Sequence, residues 1–228
     1  MSAYGTRTAV ISLGVSCQTS WQIDRNLGLL SDLVGEPLHR ASSPFDWLIM
    51  PPMSFASWMR SLDCFPASAD DIVAHPNFYW PEHNLHFWHE FTRDGVVALH
   101  ETFDDTRSKF EYLFRRFLTL RGFSRCVFFV SNTQSNLDVV RCVSPRMDFR
   151  FTHATMAAVV AAVRAGVGPM SEVHFVTRHD GADVDPDPAF NIHRLGRDAP
   201  EVLGDDEAWA DVFRAALLPG ALAQSCAA

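Results

Sequence analysis

The chain has 228 residues, 47% of them hydrophobic, which is enough to bury one sizeable core in one domain with an elaboration. A formal charge of −8 lacks the basic face that nucleic-acid binding requires. Five scattered cysteines (Cys17, Cys64, Cys126, Cys142 and Cys226) form no CxxC pair, so neither a zinc ribbon nor a disulfide framework is expected.

Residues 9–13 are a short apolar run that reads as a buried strand. Gly14 breaks it, Ser16 is a good N-cap, and residues 17–26 can be helical before Gly28 stops them. Cys17 then falls in the first helical turn, where free N–H groups and the helix dipole stabilise a thiolate. The same apolar run is too short for a signal-peptide core, and nothing in the chain is long enough to span a bilayer. A reduced, cytoplasmic location is the expectation.

Residues 29–53 are dense in Pro, Ser and Trp and include Ser42-Ser43-Pro44-Phe45-Asp46-Trp47. A short helix is expected over residues 54–62, followed by an irregular stretch containing Pro66, Pro76 and Pro81. Residues 85–92 read as a strand that pairs with 96–100 around Asp94-Gly95. Residues 104–120 are the clearest helix, with Phe110, Leu113, Phe114, Phe117 and Leu118 as its apolar stripe. Buried strands are expected at 126–130, 173–177 and 191–195, and helices at 155–165 and 205–218.

Strands alternating with helices define an α/β layered fold with a largely parallel central sheet flanked by helices. Residues 1–228 read as a single domain, in which 37–103 form an irregular, aromatic-rich insertion over one end of the sheet. Sites in such folds lie at the carboxyl ends of strands. This rule brings residues 14–17, 131–132, 178–180 and 193–194 to one rim.

Three segments occur in order: Ile11-Ser12-Leu13-Gly14-Val15-Ser16-Cys17, Ser43-Pro44-Phe45-Asp46-Trp47-Leu48 and His89-Glu90-Phe91. Over residues 9–130 the chain resembles a bacterial family described as papain-like cysteine peptidases (domain of unknown function 1796, DUF1796). Glu90 departs from the aspartate usual in that family. The resemblance implies a thiol-dependent hydrolase or acyltransferase, and a papain-like α+β fold as the alternative architecture.

In chemical terms Cys17 would be the nucleophile and His89 its base, with Asp46 or Asn132 orienting the imidazole. The backbone N–H groups of Cys17 and Gln18 would supply an oxyanion hole. Ser16, Gln18, Ser43, Phe45 and Trp47 are the candidate substrate contacts, for a small-molecule, peptide or glycan substrate. Papain-like enzymes place a glutamine several residues before the cysteine; here that region is a strand, and Gln18 follows the cysteine instead.

No metal or cofactor is expected. His83, His86 and His89 recur every third residue, which in a strand puts them on alternating faces. The rival function is binding of a sugar-phosphate or nucleotide-type anion at the first strand–helix turn, with Ser12, Ser16 and Arg40 near the ligand. An interaction module with an aromatic surface is the third possibility.

Overall fold

A computed structural model describes residues 7–61, 63–74, 78–141, 147–199 and 201–218. Leu62, His75, Pro76, Cys142 and Cys226 therefore lie outside the described residues. The centre is a four-stranded, fully parallel sheet in the order β1 (Thr8–Ser12), β6 (Arg125–Ser131), β7 (Ser171–Thr177) and β8 (Asn191–Arg194). Between β1 and β6 run α1 (Cys17–Arg25), α2 (Leu27–Val34), α3 (Pro52–Ser61), two small hairpins and α4 (Leu99–Leu118). The hairpins are β2 (Tyr79–Trp80) with β3 (Leu85–His86), and β4 (Thr92–Arg93) with β5 (Val96–Val97). After β6 come α5 (Leu137–Arg141) and α6 (His153–Gly166), and α7 (Asp206–Leu217) follows β8.

The period-two geometry of a strand sorts side chains to the two faces of the sheet. On one face Ala9, Ile11, Cys126, Phe128, Val130, Val173 and Phe175 join the main core with α3, α4 and α6. On the other, Val10, Val127, Phe129 and Val176 meet Ile23, Leu30 and the α7 residues Trp209, Val212 and Phe213. With helices on both sides, β6 is buried from Cys126 to Ser131, as expected of a central parallel strand.

The observed architecture is thus the expected α/β layering, and not the papain-like α+β alternative. Gly28 does not end helical structure: the chain breaks at Asn26, and Gly28 lies in the first turn of α2. The Asp94-Gly95 turn is present with φ of 52° and 78°, the paired positive values that hairpins favour. The strands around it are far shorter than expected, because β3 pairs with β2 and Leu99 already starts α4. His89 consequently sits in a turn, not on a strand.

Residues of the 37–103 stretch supply much of the main core. Phe45 is fully buried, with ring centroids 5.0 Å from Phe55, 5.6 Å from Trp58 and 5.1 Å from Phe117. These edge-to-face contacts give it a packing role in place of the expected substrate contact. Glu36 and the adjoining 37–103 stretch cover the free edge of β1. Glu36 Oε1 accepts from Thr8 N at 2.7 Å, and Ser43 Oγ donates to Ser12 O at 3.1 Å. Those side chains satisfy part of the row of polar groups that an edge strand exposes.

Candidate functional site

The turn from β1 into α1 is conformationally costly. Gly14 and Val15 have φ of 76° and 69°, and a β-branched residue there is strained by about 1–3 kcal/mol. Gly14 is required twice over. Its φ suits glycine, and a Cβ would sit 2.8 Å from Phe45 O. Gly14 N donates to Ser12 Oγ at 3.1 Å, and Val15 O accepts from Met50 N at 3.2 Å. Ser16 is extended and precedes α1, yet its side chain caps nothing: its buried hydroxyl has no partner among the described residues.

Cys17 begins α1 as the sequence suggests, but its surroundings do not favour a thiolate. The side chain is 7% exposed, and burial pushes its thiol above the ordinary 9.0, outweighing the backbone hydrogen bond that lowers it. Its Sγ donates to Gln134 Oε1 at 3.4 Å, and the same oxygen accepts Gln18 N at 3.2 Å. Thr133 Oγ1 bonds Gln18 Oε1, while Thr19 and Ser131 share a hydroxyl–hydroxyl bond of 2.8 Å. The carboxyl ends of β1 and β6 are therefore stitched together by buried polar side chains. Sequence reasoning brought Ser131 to this rim but missed Thr19, Thr133 and Gln134. The signal was present in the polar run 131–134 directly after a wholly apolar strand.

Above this seam lies the loop before α7. Gln18 Nε2 donates to Val202 O at 3.0 Å, and Gln22 Nε2 donates to Leu203 O at 2.7 Å and Asp206 Oδ1 at 3.1 Å. The start of α1 is covered. Asn132 is committed elsewhere, its Nδ2 donating to Phe149 O at 3.1 Å and Asp183 O at 3.2 Å.

His89 is exposed, and its ring packs edge-on against Trp47 with centroids 5.4 Å apart. Partial desolvation lowers its basicity, opposed by Glu90. Glu90 pairs with Lys109 at 2.5 Å. No hydrogen bond joins His89 to Cys17, Asp46 or Asn132 among the described residues. The four candidate catalytic side chains thus stand in four separate environments.

Asp46 occupies the most unusual of them. Ser43 N donates to Oδ2 at 2.9 Å, and the single Ser43 hydroxyl proton is shared between Oδ1 at 2.8 Å and Ser12 O at 3.1 Å. Burial nevertheless dominates and pushes the carboxyl up to about 6, against the opposing effects of Ser43, Arg40 and the Ser20 hydroxyl. Ser43 is used up in this arrangement, since its Oγ also accepts from Phe45 N at 3.2 Å. Arg40 pairs with Asp24 at 3.1 Å and lies 5.9 Å over the Trp47 ring.

Asp46 lines a cavity of about 490 Å³ that runs beside β1 and α1, past the turn and along the helix. Arg7, Arg40 and Arg116 also line it, with Ser12, Ser20 and the carboxylates of Asp24 and Glu36. Arg7 and Arg116 rest on aromatic rings, 5.7 Å over Phe123 and 5.7 Å over Tyr112, and neither has a carboxylate partner among the described residues. Both arginines were invisible to motif reasoning. They line one cavity only because Arg7 precedes the edge strand and Arg116 lies in the last turn of α4.

Comparison with protein-family models, with characterised proteins and with solved structures finds no match for this chain. No described helix is long and apolar enough to cross a membrane.

Proposed function

We propose that the chain binds a small anion of the sugar-phosphate or nucleotide class in the cavity beside β1 and α1, where Asp46 transfers a proton. The observation that carries this reading is one cavity lined by a buried carboxyl and by two arginines without carboxylate partners among the described residues. A volume of about 490 Å³ suits a small ligand. Arg7 and Arg116 would grip the phosphate, since guanidinium groups match its oxygens in pairs. A carboxyl near 6 exchanges its proton close to neutrality, which suits it to give or take one at a ligand hydroxyl. The Ser12 and Ser20 hydroxyls are the neutral donors.

In this reading the anion site lies one step along the helix from the turn that the sequence suggests. Ser16 and Val15 are too deeply covered to meet a ligand in this arrangement.

Thiol-dependent hydrolysis or acyl transfer is the second reading, favoured by Cys17 as the first residue of α1. It would need a base that displaces Gln134 from the sulfur, together with opening of the loop held by Gln18 and Gln22.

The first reading is tested by calorimetric titration with inorganic phosphate, a nucleoside monophosphate and a hexose phosphate. The expected result is saturable binding of at least one organic phosphate, weakened roughly tenfold or more in Arg7→Ala/Arg116→Ala. Equal binding by wild type and the double variant would overturn it.

A further inference from the structure

A second cluster lies away from the cavity, where the end of α3 meets the turn between β2 and β3. Asp63 follows α3, and Glu82 and His83 occupy that tight turn, closed by Asn84 N donating to Pro81 O at 3.3 Å. One donor atom from each of Asp63, Glu82 and His83 lies within 4.8 Å of the other two. Acidic side chains on a surface often gather with no consequence. His83 makes this group different.

Its side chain is 5% exposed, and neither ring nitrogen has a hydrogen-bond partner among the described residues. A buried imidazole with both nitrogens unmet costs about 1–3 kcal/mol per orphaned group. The ring is held in place by Trp80, with centroids 4.4 Å apart, and by Trp58 at 6.4 Å. Trp58 is itself fixed to this corner by donating to the Asp63 carbonyl. A rigid nitrogen donor therefore faces two exposed carboxylates that enter no ion pair among the described residues.

We propose that Asp63, Glu82 and His83 bind a divalent first-row transition ion of the Zn²⁺ type. One imidazole and two carboxylates form a mixed nitrogen–oxygen set, which suits such ions better than Mg²⁺ or Ca²⁺, whose sites are all oxygen. Ligand atoms about 2.0–2.2 Å from Zn²⁺ lie closer together than the present spacing. The two carboxylates are exposed and can close that gap by rotation, while His83 stays where the tryptophans hold it. Three protein donors leave a position for water. The ion would tie the end of α3 to the β2–β3 turn and give the orphaned His83 a partner.

The test is titration of the metal-free, full-length chain with Zn²⁺ alone, followed by calorimetry and thermal unfolding. Cobalt quenching of tryptophan fluorescence is a second readout, because Trp58 and Trp80 flank the ligand histidine. The expected result is a single saturable site that raises Tm, with no comparable effect of Mg²⁺ or Ca²⁺. Asp63→Asn and Glu82→Gln, at exposed positions where folding should survive, should each weaken Zn²⁺ binding roughly tenfold or more. His83→Gln should abolish the cobalt quenching. A folded wild type that binds no Zn²⁺ overturns the proposal. So does an Asp63→Asn/Glu82→Gln variant that binds it as tightly as wild type.

Discussion

The Cys17 thiol donates to Gln134 Oε1 at 3.4 Å, so the first residue of α1 is tied to the segment after β6 and not to an imidazole. That single bond changes what the most conspicuous cysteine of the chain is expected to do. Burial raises its thiol above 9.0, and a neutral thiol is a poor nucleophile. With a small electrophile at neutral pH, Cys17 should label slowly, and its rate should climb only as pH passes the ordinary thiol range. His89→Ala should leave that rate unchanged. Mass-spectrometric mapping of modified cysteines over a pH series checks this, and fast labelling of Cys17 below pH 8 that depends on His89 would favour the thiol reading.

The Asp46 carboxyl makes a separate prediction about pH and stability. Its folded value of about 6 lies above the ordinary 3.8, so between those values the folded state holds more protons than the unfolded one. Stability from this group is fully present below about pH 3.8 and is lost as pH rises through about 6. The loss is on the order of 3 kcal/mol at neutral pH. Asp46→Asn removes this titration, although it also gives up one acceptor for Ser43. Urea unfolding of both proteins from pH 4.5 to 7.5 should show wild type losing stability relative to the variant as pH rises; parallel curves would show that Asp46 titrates normally.

Gly14→Ala tests the turn. It forces an alanine to φ 76° and drives a Cβ to within 2.8 Å of the Phe45 carbonyl. The expected destabilisation is at least about 2 kcal/mol, read as a lowered denaturant midpoint. Gly28→Ala is the control: a Cβ there meets nothing within 4 Å, and it should be neutral or stabilising.

Gln22 carries the tether between α1 and the loop before α7. Gln22→Ala leaves the Leu203 carbonyl and one oxygen of Asp206 without this donor, at an expected cost of about 1–3 kcal/mol. Hydrogen exchange should rise around residues 201–206 and leave the β6 amides protected. Uniform loss of protection would show that the tether is not local.

Most of the layered core was legible in the residues themselves. Phe128 and Phe175 sit in strands whose neighbours are apolar and β-branched, and a run buried on both faces needs no periodicity to be seen. The start of α1 was equally clear from Gly14, Ser16 and the polar–apolar pattern behind them. His89 was placed wrongly because alternation over residues 85–92 resembles a strand, whereas pairing was captured by Tyr79 and Trp80. Partners distant in sequence were out of reach. Nothing local links Gln134 to Cys17, Arg116 to Arg7, or Asp63 to His83; each pair is made by the topology of the sheet or by the hairpin against α3.

The central claim is that a small anion occupies the cavity beside β1 and α1 and meets Asp46 and the two arginines. Backbone amide NMR during titration with a nucleoside monophosphate tests it most directly. The account predicts saturable shifts at Arg7, Ser12, Ser20, Arg40 and Arg116, with the amides of Gly14–Gln18 and Gln134 nearly still. Shifts centred on Cys17 and Gln134, with the cavity residues unmoved, would contradict it.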